Sequence, residues 1–190
     1  MLNKQYTSML QEKDVIFEIF QYATERAKVV GAENIYDFSL GNPSVPAPSI
    51  VNETIVQKVN TLDPLALHGY SPSFGIMETR EKIAVFLNKK YGSSYKASNI
   101  FMAIGAAGAL AHAFRAVTNP GDEIITFAPC FSEYKPYTAG AGLKLTIIPA
   151  DIDTFQINFA AFEAQLNENT TAVLINSPNN PSGIVYSTET

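Results

Sequence analysis

The sequence predicts an α/β fold, three-layer α/β/α around a mainly parallel sheet. Three observations point to it. From Ile100 onward, short apolar runs alternate with short helical patterns, in the order Ile100 to Ile104, Ala106 to Val117, Glu123 to Phe127, Ser132 to Ala139, Leu143 to Ile148, Phe159 to Leu166 and Thr171 to Ile175. Thr171 to Ile175 form a short continuous apolar run, the pattern of a strand buried on both faces of a parallel sheet. With 190 residues, 46% of them hydrophobic, the chain has material for a packed core.

Before that alternation the pattern is helical. Asp14 is placed to cap a first helix whose apolar positions Ile16, Phe20, Ala23, Ala27 and Val30 recur at three and four, with Gly31 as its stop. Ile35 to Leu40 follow, then Gly41 to Pro48, where three prolines in six residues make a stiff extended connector. A second helix fits Ile50, Val51, Ile55, Val59 and Leu62. A third runs from about Gly75 to Tyr91, with Ile76, Ile83, Ala84 and Leu87 on one face and Gly92 after it. Four strands are expected, and a four-stranded sheet with one face partly bare exposes apolar area that favours a partner or a continuation.

Composition narrows the function classes. A net charge of -5, with Lys89-Lys90 as the sole adjacent basic pair, argues against nucleic acid. No apolar segment approaches the roughly 20 residues that span a bilayer, and Met-Leu-Asn-Lys-Gln-Tyr lacks the form of a signal peptide, so no membrane and a cytoplasmic location are expected. One cysteine, Cys130, excludes an internal disulfide, and with only His68 and His112 beside it a metal site is not expected. The Asn-x-Thr matches at Asn52 and Asn169 therefore carry no glycosylation reading.

Three stretches carry possible chemistry. Asn176 to Gly183, Asn-Ser-Pro-Asn-Asn-Pro-Ser-Gly, must turn sharply at a strand's carboxyl end, where ligands of open α/β sheets sit; an ordinary Pro/Asn-rich turn is the alternative. Gly105-Ala106-Ala107-Gly108-Ala109-Leu110 opens a helix with small residues, so free N–H groups and the positive helix end suit a phosphate; close helix–sheet packing explains the same residues. It is neither a Walker loop nor a dinucleotide fingerprint. Pro129 to Tyr134 would set Phe131 beside that pocket as a face for a planar ring, or simply in the core. Nothing adjacent to Cys130 would make it a nucleophile, and His112 reads as packing or surface.

In order, these pieces resemble the class I/II aminotransferases of the fold type I pyridoxal-phosphate family. The resemblance rests on Leu40-Gly41-Asn42-Pro43 with Pro46, Tyr70 with Gly75 and Arg80, Gly105 to Leu110, Pro120-Gly121-Asp122-Glu123, Pro129 with Phe131 and Tyr134, and Asn179-Asn180-Pro181-Ser182-Gly183. It implies the PLP-dependent transferase-like large domain, incomplete, with residues 1–45 an N-terminal arm and small-domain segment and 46–190 the N-terminal portion of the large domain.

The resemblance also implies roles. Ala106 and Ala107 look like the backbone donors to the phosphate of pyridoxal 5'-phosphate, Phe131 like the aromatic stacked on its ring, and Asn180 like the donor to its phenolate oxygen. Tyr70 resembles the tyrosine that reaches the neighbouring subunit's cofactor, implying a homodimer with a shared site. Gly41 looks like the residue whose backbone lies against the substrate carboxylate. Amino acid and 2-oxo acid substrates follow. Many relatives carry Ser or Thr where Ala107 stands, and the absent hydroxyl forgoes about 1.5–3 kcal/mol of hydrogen bonding to a charged acceptor.

In the family the Schiff-base lysine, the aspartate partner of the pyridinium and the substrate-binding arginine follow the Asn-Asn-Pro-Ser-Gly turn. The chain therefore reads as an N-terminal half, with no catalytic lysine of its own and inactive alone. Two other readings stay open: a lyase or synthase of the same superfamily, and a non-catalytic phosphate-binding half-module.

Overall fold

The structure is a computed structural model that describes residues 4–9, 15–39, 41, 43 and 45–190. The chain divides into two compact units, Met1–Ser73 and Phe74–Thr190.

The first unit is helical. Helix α1 spans Lys4–Met9 and α2 spans Val15–Val30; α2 closes when the Gly31 N–H donates to the Ala27 carbonyl at 3.0 Å. Asp14, the expected cap of α2, lies outside the described residues, as do Leu40, Asn42 and Ser44. Helix α3, Ser49–Thr61, follows the proline connector as expected. A short helix, α4 (Pro64–His68), was not foreseen. Its start is nonetheless chemically ordinary: the Asp63 carboxylate accepts from the Leu65 and Ala66 amides at 2.9 and 3.1 Å, and Pro64 opens the first turn. No residue of α2, α3 or α4 is buried: the apolar face predicted for α3 stands exposed, and that of α2 is exposed at Ile16 and Phe20 and half-buried at Ala23, Ala27 and Val30.

The second unit begins with α5, Met77–Tyr91, ended by Gly92 at φ 65°, the left-handed cap for which glycine has no Cβ penalty. Its inward residues are Arg80 and Ala84. After it come α6 (Gly105–Val117), β1 (Glu123–Phe127), α7 (Tyr134–Gly140), β2 (Lys144–Ile148), α8 (Phe159–Gln165) and β3 (Thr170–Val173). The sheet is parallel throughout, in order β2-β1-β3. Glu123 to Phe127 face Lys144 to Ile148 residue for residue, whereas a bulge after Glu123 shifts the register with β3.

The three layers follow from crossover handedness. The step from β1 to β2 moves one way across the sheet and the step from β2 to β3 moves back past β1, so two right-handed crossovers put their helices on opposite faces. One face packs Phe114, Ile124 and Leu143 with Leu110 of α6, Tyr137 of α7 and Ala141 just after it; the other packs Ile125, Phe127 and Ile148 with Ala161 and Phe162 of α8. All five residues of β1 are buried, Glu123 and Thr126 among them, whereas the Thr171 to Ile175 run expected to be buried on both faces forms an edge strand with Thr171, Val173 and Ile175 exposed.

One expectation is corrected. Ile100 to Ile104 form no strand, so the described residues hold three strands rather than four. A strand exists through its ladder, and Ile100 to Ile104 pair with none of the three strands. The apolar run instead presents its side chains elsewhere: the Phe101 ring lies edge-on to Phe74 at 6.2 Å and to His112 at 5.2 Å, and Ile104 is 94% exposed. Among the described residues, no helix is long and apolar enough to cross a membrane.

Candidate functional site

The loop after β1, the loop after β3 and the start of α6 meet the same end of the sheet for reasons visible in the chain. A connection of five residues, 118–122, carries the chain from the end of α6 into the first residue of β1. Helix α6 lies back along β1 through Leu110 and Phe114. Thirteen helical residues rise about 20 Å and a five-residue strand spans about 17 Å, so the N-terminus of α6 returns to the carboxyl end of β1.

At that N-terminus the first helical bond runs from the Gly108 N–H to the Ile104 carbonyl at 3.2 Å, leaving the Gly105, Ala106 and Ala107 amides ahead of the ladder. All three residues are exposed, and no acidic side chain sits in the first turn. Gly105 has φ 65° with open space where a Cβ would stand, so its role is conformational: it turns the chain into the helix. The arrangement can receive an anion on backbone amides at the positive end of a three-turn helix.

The loop after β1 is held at its start, where the Ala128 N–H donates to the Ile148 carbonyl at 2.8 Å. It then turns into α7 through Phe131, whose carbonyl accepts from the Tyr134 N–H at 3.2 Å. The Phe131 ring is half-buried and meets the Tyr134 ring edge-on at 5.8 Å. Burial pushes the Cys130 thiol above its ordinary range, against a smaller opposite pull from Lys135, so it is a neutral thiol rather than a nucleophile. Burial likewise raises the Tyr134 and Tyr186 phenols.

The loop after β3 continues the sheet for one more residue. The Leu174 N–H donates to the Ile125 carbonyl at 2.8 Å, and the Thr126 hydroxyl donates to the Leu174 carbonyl at 2.9 Å. The Pro/Asn stretch then closes on itself. The Asn176 carboxamide oxygen accepts from the Asn180 N–H at 2.8 Å, leaving the Asn180 side chain exposed and unpartnered.

Its neighbour Asn179 is only 8% exposed. Its carboxamide donates to the Pro129 carbonyl and to the Ser182 hydroxyl, each at 2.8 Å, so it ties the loop after β3 to the loop after β1. Sequence reasoning singled out Asn180 and passed over Asn179. The available signal was the Pro129 carbonyl itself, a half-buried acceptor in a turn with few backbone donors to spare.

Ala106, Ala107, Phe131 and Asn180 thus lie in the second unit around one sheet end, whereas Gly41 and Tyr70 lie in the first. Both are exposed; Tyr70 follows α4 beyond Gly69. Among the described residues, no group of His, Cys, Asp and Glu could hold a metal ion. Open helix amides, an aromatic face and a free carboxamide fit a phosphorylated planar ring that offers an oxyanion.

Comparison with known proteins gives the family. The sequence pattern of the family described as aminotransferase class I and II matches residues 32–190. The aspartate aminotransferase of Thermotoga maritima is 33% identical over 168 residues, covering 88% of this chain and 44% of that protein. A crystal structure of an aminotransferase from Eubacterium rectale superposes with TM-score 0.93 at 49% identity, over 100% of this chain and 48% of that one. That of Thermus thermophilus aspartate aminotransferase, as a double mutant, gives 0.86 at 25% identity over the same shares. The chain therefore spans less than half the length of these relatives. With its match across residues 32–190, the chain belongs to the class I and II aminotransferases.

Proposed function

We propose that this chain supplies the phosphate- and ring-holding part of a pyridoxal-phosphate-dependent aminotransferase that moves an amino group between an L-amino acid and a 2-oxo acid. One observation carries the reading: an open helix N-terminus, a half-buried phenylalanine and an exposed, unpartnered asparagine share one end of a parallel sheet.

Pyridoxal phosphate, when bound, supplies the electron sink that makes amino-group transfer feasible. The amides of Ala106 and Ala107 would hold its phosphate, Phe131 would stack on its ring, and the Asn180 carboxamide would donate to its phenolate oxygen. Gly41 would lie against the substrate carboxylate and Tyr70 would serve the neighbouring subunit's site in a cytoplasmic homodimer. Residues 1–45 would form the arm and small-domain segment, and 46–190 the start of the large domain.

By resemblance, the Schiff-base lysine lies beyond the Asn-Asn-Pro-Ser-Gly turn, so the 190-residue chain binds without catalysing. Two measurements test this. Pyridoxal phosphate titrated into the chain should bind saturably, in competition with inorganic phosphate and more weakly to Asn180→Ala; absence of saturable binding overturns the site. With an amino donor and a 2-oxo acid the chain should yield no product, and protein-dependent turnover overturns its inactivity.

A further inference from the structure

Asn180 is exposed and held by one bond to its own backbone N–H, from the Asn176 side chain. Phe131 stands in a different loop, separated from it by about 50 residues of sequence, so something must fix one against the other. Asn179 is the group that spans the gap. Its Nδ2 donates to the Pro129 carbonyl, two residues before Phe131, and to the Ser182 hydroxyl within its own turn. Its backbone closes the same turn: its N–H donates to the Ile184 carbonyl and its carbonyl accepts from the Gly183 N–H, both at 2.8 Å. At 8% exposure the carboxamide has no water to fall back on, so both side-chain bonds are retained whenever the turn is closed.

We infer that Asn179 is a positioning residue for the cofactor site: it sets the spacing between the Phe131 face and the Asn180 donor, and so tunes cofactor affinity without touching the cofactor. This rests on the functional reading above. Asn179 can serve this way because both of its amide hydrogens are committed, one to each loop. An aspartate of the same shape would offer only acceptors, setting a carboxylate oxygen against the Pro129 carbonyl oxygen.

The test is a double-mutant cycle on the 190-residue chain with pyridoxal phosphate as the probe. Asn179→Asp should weaken binding about tenfold in the wild-type background and less than about twofold where Asn180 is already alanine, the non-additivity expected of residues acting through one another. A merely structural role would give the same loss in both backgrounds, and that result overturns the inference. A second readout is independent of the cofactor: in amide NMR spectra the Phe131 and Asn180 resonances should both move in Asn179→Asp, and movement of one without the other overturns it. Where circular dichroism shows Asn179→Asp unfolded, Ser182→Ala, which removes one partner of the same amide, is read the same way, with an expected loss of about threefold. A wild-type chain that binds no pyridoxal phosphate defeats the functional reading, and the paired resonances then decide the inference alone.

Discussion

Asn167→Ala should cost this protein stability in a manner that depends on pH, because Asn167 is the principal partner of a buried carboxylate. Glu123 opens the central strand with 2% of its surface exposed. Its Oε2 accepts from the Asn167 Nδ2 at 2.7 Å, and its Oε1 has the Lys144 ammonium at 3.4 Å as an ion pair. The Asn167 bond lowers the Glu123 pKa most. The Thr146 hydroxyl adds to this, though its geometry falls short of a hydrogen bond to Oε1; burial opposes, and exposed Lys144 contributes last. A carboxyl held below its ordinary value near 4.5 stabilises the folded state above that pH, and loses the contribution as pH falls through the lower folded value. Removing the Asn167 amide leaves a buried charged acceptor one partner short, about 1–3 kcal/mol. For a chain of this size that is about 2–4 °C of melting temperature per kcal/mol. Thermal unfolding followed by circular dichroism at pH 7 and at pH 3.5 to 4 (about the carboxylate range) should show the gap between wild type and variant narrowing as the pH drops. A gap of equal size at both would mean that Asn167 acts through packing and not through the Glu123 charge.

Ala107→Ser adds a hydroxyl at the α6 N-terminus and should tighten pyridoxal-phosphate binding about tenfold, measured by equilibrium dialysis, since a bond to a charged acceptor is about 1.5–3 kcal/mol; unchanged affinity would argue against phosphate there. Cys130, half-buried and with its pKa raised by that burial, should react with a disulfide reagent at pH 8 at least about tenfold more slowly in the folded chain than in urea, and equal rates would refute the shielded, neutral thiol. Arg80, 9% exposed, donates Nη1 to the Ala97 carbonyl at 3.1 Å while its Nε has no partner. Arg80→Met should therefore lie within about 1 kcal/mol of wild type in urea unfolding, and Arg80→Ala about 2–3 kcal/mol lower through the space it empties. Equal losses would show that the charge, not the stem, is what α5 uses.

What could be read from the sequence divides along physical lines. The runs at Glu123–Phe127 and Leu143–Ile148 were legible because Ile124, Ile125, Phe127, Leu145, Ile147 and Ile148 give them apolar character, although only the central β1 is buried throughout and the edge strand β2 leaves Lys144 and Ile147 exposed. Ile100–Ile104 carries the same signal and forms no strand, because apolar character reports burial demand while a strand also needs a partner's backbone. Helix α4 went unread although Asp63-Pro64 is a sound start, since five residues are too few to show a period. The site divides in the same way. Backbone donors at Gly105 to Ala107 follow from local chain geometry, so small residues after an apolar run were enough to find them. Asn179 and Asn180 are chemically identical in the sequence, and only the position of the Pro129 carbonyl, fixed by another loop, decides which amide is spent inward and which stays free for a ligand. In this doublet Asn179 ties the loop after β3 to the loop after β1, and on the proposed reading the exposed Asn180 amide is the one a cofactor would meet.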